Sequence, residues 1–291
     1  MVAPHRFSPV CPQVLRVGRV GVVEATAIQV GGTDWVERWR KLVLDRETSP
    51  AHGHSDPNYW DRRAATYARS TGNRVDQFLA VIEPFVSPRK TLIDVGAGAG
   101  RHAVPLAEKL EWVTAVEPSE GMRAHLPALP NLTVVASAWE DAEVAPADLV
   151  ICCHVLYGVA DVVPFVEKLE RSARERVFIM LREGPVPHPA NVLRDSIAPT
   201  PLPPIPQFSD LFMLLLQLGI AADVTFVRYP AVNRYRSLDE AVADCKPLFG
   251  AGWEEPRTRR LLEEMLVRDG TELVYDGGVT VSGIAHWQPR I

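Results

Sequence analysis

No apolar stretch in this 291-residue chain is long enough to cross a bilayer, which takes about 20 residues. The most apolar run, 211–220, is short and contains Gln217. The first residues show no charged-then-apolar pattern with a small-residue cleavage site, so the expected compartment is the cytoplasm. Clustered basic residues are also missing: 31 Lys and Arg stand against 36 Asp and Glu, for a net charge of −5. A phosphate backbone needs a concentrated patch of cations, so nucleic acid is not an expected partner. Cysteine is scarce at four, with Cys152 and Cys153 adjacent. That number makes no disulfide framework, and a vicinal pair on an apolar strand reads as core. His52 and His54 have no third ligand at useful spacing, so no metal site is expected and their loop, 47–58, reads as solvated.

What is present is apolar residue, 47% of the chain, enough for one elaborated domain or a core with a small cap. The most informative segment is Leu-Ile-Asp-Val-Gly-Ala-Gly-Ala-Gly at 92–100. An apolar strand ends at Asp94 and breaks into Gly96, Gly98 and Gly100, and residues 101–110 read as the following helix. Strand, glycine turn and helix make a nucleotide-type pocket at the carboxyl edge of a parallel sheet. Two ligands compete for it. The dinucleotide fingerprint G-x-G-x-x-G places Arg101 at its third glycine in one register and Ala103 in the other. A second strand, 112–116, ends in Glu117-Pro118-Ser119, about 20 positions beyond the glycines, where a carboxylate accepts ribose hydroxyls. That feature fits either ligand and points to adenosine.

Read from Asp94, the segment is D-x-G-x-G-x-G and resembles motif I of the class I S-adenosylmethionine-dependent methyltransferases. The strand at 132–136 and the loop Ser137-Ala138-Trp139-Glu140 resemble the part of that family that lies against adenine. The usual Gly-Asp opening of that loop is here Ser137-Ala138. The strand at 148–153, followed by His154-Val155-Leu156-Tyr157, matches the family's substrate mouth. A helix at 163–173 and a strand at 177–181 ending in Arg182-Glu183 complete five strands over 90–184. Upstream, Tyr59-Trp60-Asp61 with Ala64 and Tyr67 resembles the helix that folds over the cofactor; Tyr59, Trp60, Arg63 and Tyr67 share much of one face.

The resemblance implies an α/β fold, a doubly wound, mostly parallel seven-stranded sheet with helices on both faces. It implies S-adenosyl-L-methionine as cofactor and a small-molecule methyl acceptor, handled by a monomer or homodimer. The cofactor would be held by Tyr59, Tyr67, Asp94, Gly96, Ala97, Gly98, Glu117, Pro118, Met122, Ala138, Trp139, Glu140 and Cys153. His154, Tyr157 and Arg182 are the expected catalytic group. His154 reads either as a general base or as a satisfied core histidine, and Arg182 either as a site for an anionic acceptor or as a partner of Glu183. The alternatives are an NAD(P)-dependent Rossmann oxidoreductase and a non-catalytic S-adenosylmethionine-binding regulatory module.

Four segments are expected: an N-terminal extension at 1–33, a helical cover at 34–85, the cofactor-binding core at 86–184, and lid insertions with the final strands at 185–291. Within the cover, 34–44 reads as an amphipathic helix capped by Asp34. Within the last segment, eight prolines between Pro185 and Pro206 predict an extended crossing and no helix. Beyond it come an apolar helix at 208–218 that is core or interface, a strand at 222–229, helices from 238 and at 255–268, and a last strand at 279–287.

Overall fold

Leu92 and Ile93 are neighbours in sequence and belong to different cores. In the computed structural model, which describes residues 32–49, 58–71, 76–185, 187–197, 203–249 and 253–290, both lie on the first strand, and successive side chains of a strand point to opposite faces. Helices α1 (Trp35–Glu47), α2 (Tyr59–Thr71) and α3 (Gln77–Ile82) precede that strand, β1 (Thr91–Val95). Then follow α4 (Ala103–Ala107), β2 (Trp112–Val116), α5 (Glu120–Arg123), β3 (Leu132–Val135), β4 (Ala147–Cys153), α6 (Val162–Ser172) and β5 (Ala173–Glu183). The C-terminal part holds α7 (Pro189–Ile197), α8 (Phe208–Gln217), β6 (Asp223–Tyr235), α9 (Leu238–Cys245), α10 (Glu255–Met265), β7 (Val267–Asp269) and β8 (Glu272–Trp287).

The sheet runs β3-β2-β1-β4-β5-β8-β6, with β7 paired to β8. The pairings among β1 to β5 are parallel, while β8 lies antiparallel between β5 and β6. Ile93, Val150, Val177 and Ile179 pack on one face with Trp39 and Val43 of α1, Phe165 and Leu169 of α6, and Leu211 and Leu214 of α8. Leu92, Leu149, Ile151 and Phe178 face the other way, against Phe78 and Ile82 of α3 and Leu106 of α4. Burying large aliphatic and aromatic side chains on both faces contributes about 1.5–3 kcal/mol each. Strand order reverses at β1, so the crevice at the carboxyl ends of β1 and β4 is the switch point where such sheets bind ligands.

Several expectations change here. The proline-rich stretch is not wholly extended: α7 starts at Pro189 and runs through a window with no further proline until Pro199. A proline at the first helical position costs nothing, because its missing N–H would have no partner there. Among the described residues the sheet has eight strands, because Val267 and Arg268, expected as the end of a helix, form β7 with Asp269 against β8. The last strand begins at Glu272 and the sixth runs on to Tyr235, both longer than expected. Pro230 is tolerated inside β6 because the register shifts beside it, between Pro230 and Val232. Helix α8 buries Phe208, Leu211, Leu214 and Leu215 within this chain, so its apolar face is core. Asp34 caps α1 as expected, accepting the Val36 and Glu37 N–H groups at 3.1 Å. The extension at 1–31 and the His52–His54 loop lie outside the described residues.

Candidate active site

The turn after β1 is held by backbone bonds: the Gly96 N–H donates to the Val116 carbonyl at 2.8 Å. Gly96 has φ 70°, and a Cβ there would fall on the Val155 side chain, so only glycine fits. Gly98 (φ 57°) faces the Tyr67 ring of α2, whose edge lies 3.8 Å from where a Cβ would stand. Its N–H donates to Glu117 Oε2 at 2.8 Å, and the Ser119 N–H donates to Glu117 Oε1 at 2.9 Å. The buried carboxylate is thus aimed by two amides. An ionised carboxylate has about four acceptor positions, so two remain for ligand hydroxyls. Asp94, at the end of β1, is 1% exposed, and its Oδ2 has no hydrogen-bond partner. Burial, reinforced by the nearby Glu117 charge, pushes the Asp94 carboxyl up to about 6. Burial likewise raises Glu117. Ala97 and Met122 are buried beside this loop, whereas Pro118 is exposed.

Helix α2 is clamped onto this loop by Asp61, a residue whose role the sequence did not disclose. Its Oδ1 accepts the Ser119 hydroxyl at 2.6 Å and the Gly121 N–H at 2.8 Å, and these bonds hold the carboxyl below its usual range. The two backbones meet so closely that a Cβ on Gly121 would lie 2.7 Å from Asp61 Cα. The expected aromatic face of α2 divides. Tyr67 looks onto Gly98, Trp60 is 47% exposed, and the Tyr59 hydroxyl accepts the Arg63 guanidinium. Arg63 continues to Asp244 of α9 at 2.9 Å, and Asp244 also holds His188 at 2.9 Å and the Tyr235 hydroxyl at 3.1 Å. Tyr59 therefore faces this buried polar hub between α2 and the C-terminal elements.

The loop after β3 is pinned from α6 by Lys168, whose ammonium donates to the carbonyls of Trp139, Glu140 and Ala142 at 2.6, 2.9 and 2.7 Å. Trp139 itself is buried in the core against Phe165, with Lys168 over its ring. Its ring packs away from solvent, while Ala138 is half-buried and Glu140 exposed. Arg101, the residue that spoils one dinucleotide register, bonds Asp76 at 2.6 Å, and His102 lies 3.0 Å from the same oxygen.

At the end of β4, His154 adopts φ 61°, a left-handed backbone that histidine tolerates better than most residues, fixed by its N–H to the Met180 carbonyl at 2.8 Å. Its Nδ1 lies 3.0 Å from the Tyr157 hydroxyl and its Nε2 3.4 Å from that of Tyr229. Tyr157 accepts the Arg182 backbone N–H at 2.8 Å, and Tyr229 pairs with the buried Ser282 at 2.9 Å. Ser282 stands opposite Arg182 in the β5–β8 register, which closes the ring of residues. Burial, with the Arg182 and Arg101 charges, pushes His154 well below its ordinary range. Cys152 is buried and Cys153 half-buried, and both thiols are pushed up by burial, so neither is a ready nucleophile. The structure thus brings His154, Tyr157 and Arg182 together and adds Tyr229 and Ser282, which lie about 75 and more residues away in sequence and left no local motif. Glu183 is not the partner of Arg182: its carboxylate accepts the Ser209 N–H at 2.9 Å and the Ser209 hydroxyl at 3.2 Å. Among the described residues, no group of three His, Cys, Asp or Glu side chains is placed to hold a metal.

Residues 93–181 match the methyltransferase domain family. That segment carries the methyltransferase likeness. The match runs from β1 through the glycine turn to β5. An uncharacterized protein of Haemophilus influenzae is 28% identical to this chain over 195 residues, 60% of this chain and 68% of its own. Among solved structures, the YcgJ protein of Bacillus subtilis is similar at 12% identity, with 75% of this chain and 97% of its own covered and a TM-score of 0.48. Magnesium protoporphyrin IX methyltransferase of Synechocystis with bound SAH is similar at 12% identity, 87% and 99% coverage and a TM-score of 0.43.

Proposed function

We propose that this methyltransferase moves a methyl group from S-adenosylmethionine to a small-molecule acceptor that enters at the His154, Tyr157 and Tyr229 mouth. The observation that carries the reading is the Glu117 carboxylate, fixed by the Gly98 and Ser119 amides with acceptor positions to spare for a ribose diol. Asp94 supports it: a buried carboxylate oxygen without a donor suits the ammonium of an amino-acid moiety. Tyr67 covers the glycine turn from α2, and the Ala138 to Glu140 loop, pinned by Lys168, is assigned to adenine through its backbone. When bound, the cofactor supplies a methyl group made electrophilic by its sulfonium. This chain's own work is then to orient the acceptor, exclude water and take up any proton the acceptor loses. His154 is uncharged at neutral pH and flanked by two hydroxyls, so it can receive that proton.

Calorimetric titration with S-adenosylmethionine, S-adenosylhomocysteine and NAD tests the cofactor. Micromolar binding of the two sulfur ligands and none of NAD is expected; binding of NAD alone overturns the reading.

A further inference from the structure

Arg182 is the one member of the mouth whose side chain is not accounted for. Its backbone N–H is bound by Tyr157, but its guanidinium has no carboxylate within salt-bridge distance among the described residues, and its Nε is buried without an acceptor. Glu183, next in sequence, is committed to Ser209, and Asp76, which bears on His154 as Arg182 does, is committed to Arg101. A buried donor left unsatisfied forfeits its hydration without replacement, and a cationic one forfeits more. The second guanidinium near the mouth, Arg101, does have its counter-ion. The charge of Arg182 bears on Tyr67, His154 and Tyr157 together, which locates it among the groups facing the acceptor.

Building on the methyltransferase reading, we propose that the methyl acceptor carries an oxyanion, a carboxylate or a phosphate, that docks on the Arg182 guanidinium beside His154 and Tyr157. A guanidinium presents parallel N–H donors whose spacing matches two oxygens of one oxyanion, and in a water-poor site such a charge-assisted pair is stronger than a neutral one. The same contact prepares the base. Arg182 is the leading charge holding His154 below its ordinary range. An anion on Arg182 cancels that charge and makes the imidazole a better proton acceptor only when the acceptor is in place. A neutral molecule of the same shape gains neither effect.

The test uses the full chain saturated with S-adenosylhomocysteine and titrates it, by ligand-observed NMR, with benzoate, 4-hydroxybenzoate and phenyl phosphate against benzamide. Wild type is expected to bind at least one of the oxyanions at least tenfold more tightly than benzamide. The Arg182→Gln variant is expected to lose that preference and Arg182→Lys to keep part of it, while both still bind S-adenosylhomocysteine within a few-fold of wild type. Preference for phenyl phosphate over the benzoates identifies the phosphate form, and the reverse the carboxylate form. Equal binding of benzamide and the acids, or an unchanged preference in Arg182→Gln, overturns the proposal. So does failure of all three oxyanions to bind wild type that has bound S-adenosylhomocysteine. Failure of wild type to bind S-adenosylhomocysteine at all strikes the methyltransferase reading instead, so the two failures are distinct.

Discussion

Asp94 makes the cofactor pocket sensitive to pH. Its carboxyl titrates near 6 in the folded protein, against an ordinary value of 3.8. The folded state therefore holds a proton that the unfolded state has released, and this group's contribution to stability falls as pH rises from about 4 to about 6. A cationic ammonium beside it favours the ionised form. The affinity for S-adenosylhomocysteine is accordingly expected to rise between pH 5 and 7 and to level off above, with the slope lost in Asp94→Asn; a flat profile in wild type would remove Asp94 from the ligand. Glu117→Ala removes charged acceptors worth about 1.5–3 kcal/mol per bond, so binding should weaken roughly 10- to 100-fold with the fold intact. An unchanged dissociation constant in a folded variant defeats the ribose assignment. His154→Asn keeps a residue that tolerates the left-handed backbone. Methyl transfer is expected to fall while S-adenosylhomocysteine affinity stays within about twofold, and equal losses in both would make this histidine structural. Much of this was legible in sequence because motif I is local. Asp94, Gly96, Gly98 and Glu117 sit within one strand–turn–helix–strand unit. Tyr229 and Ser282 were not, because the contacts they make to His154 and to each other cross strands separated by long connections.

Helix α2 shows what a one-dimensional reading misses about an element. Its aromatic spacing announces a helix with one rich face, and the helix is there. Which side chain faces what depends on Asp61 gripping Ser119 and Gly121, and neither partner has a signature of its own. That grip makes Gly121 a test of the element. An alanine there would place its Cβ against the Asp61 backbone, which cannot yield as a flexible side chain could. Gly121→Ala is expected to expose 58–71 to limited proteolysis and to weaken S-adenosylhomocysteine binding. Undiminished protection and affinity would mean that the cover can shift without loss. Helix α7 was missed for a different reason. The proline density of 185–206 masks the position of Pro189, which stands where a helix can begin.

Across the whole molecule, the hub of Arg63, Asp244, His188 and Tyr235 joins α2 to α9 and β6. Neutral contacts could have filled this space. The ion pair instead makes the junction intolerant of losing one partner, because the survivor is left buried and uncompensated. Asp244→Ala is expected to destabilise the protein by about 3–5 kcal/mol, read as a lower midpoint in thermal unfolding. A shift too small to measure would mean that Arg63 finds water or another acceptor. The hydrogen bonds and charges of Arg63 and His188 hold the Asp244 carboxyl at about 2, below its ordinary 3.8. The stabilisation from this carboxylate is therefore complete above about pH 4 and lost as pH falls toward 2. At this scale the parallel core was legible, since strands β1 to β5 follow in simple order with helices between them everywhere but the β3–β4 connection. The C-terminal third was less so, because β6, β7 and β8 take their length from pairing with one another.

Strands β6 and β8 continue their pairing from Asp223 opposite His286 to Tyr235 opposite Leu273, well past the stretch of β8 that borders β5. On the far end of that ribbon sits a separate hydrophobic cluster, with Leu193, Tyr235, Cys245, Phe249 and Leu262 at its centre and none of the five parallel strands among its members. The protein is thus built like a tool with a fixed grip and an interchangeable head. Substitutions that reshape the outboard cluster can accumulate where they keep Asp244, His188 and Tyr235 for Arg63, while the strands that carry the glycine turn are inherited untouched.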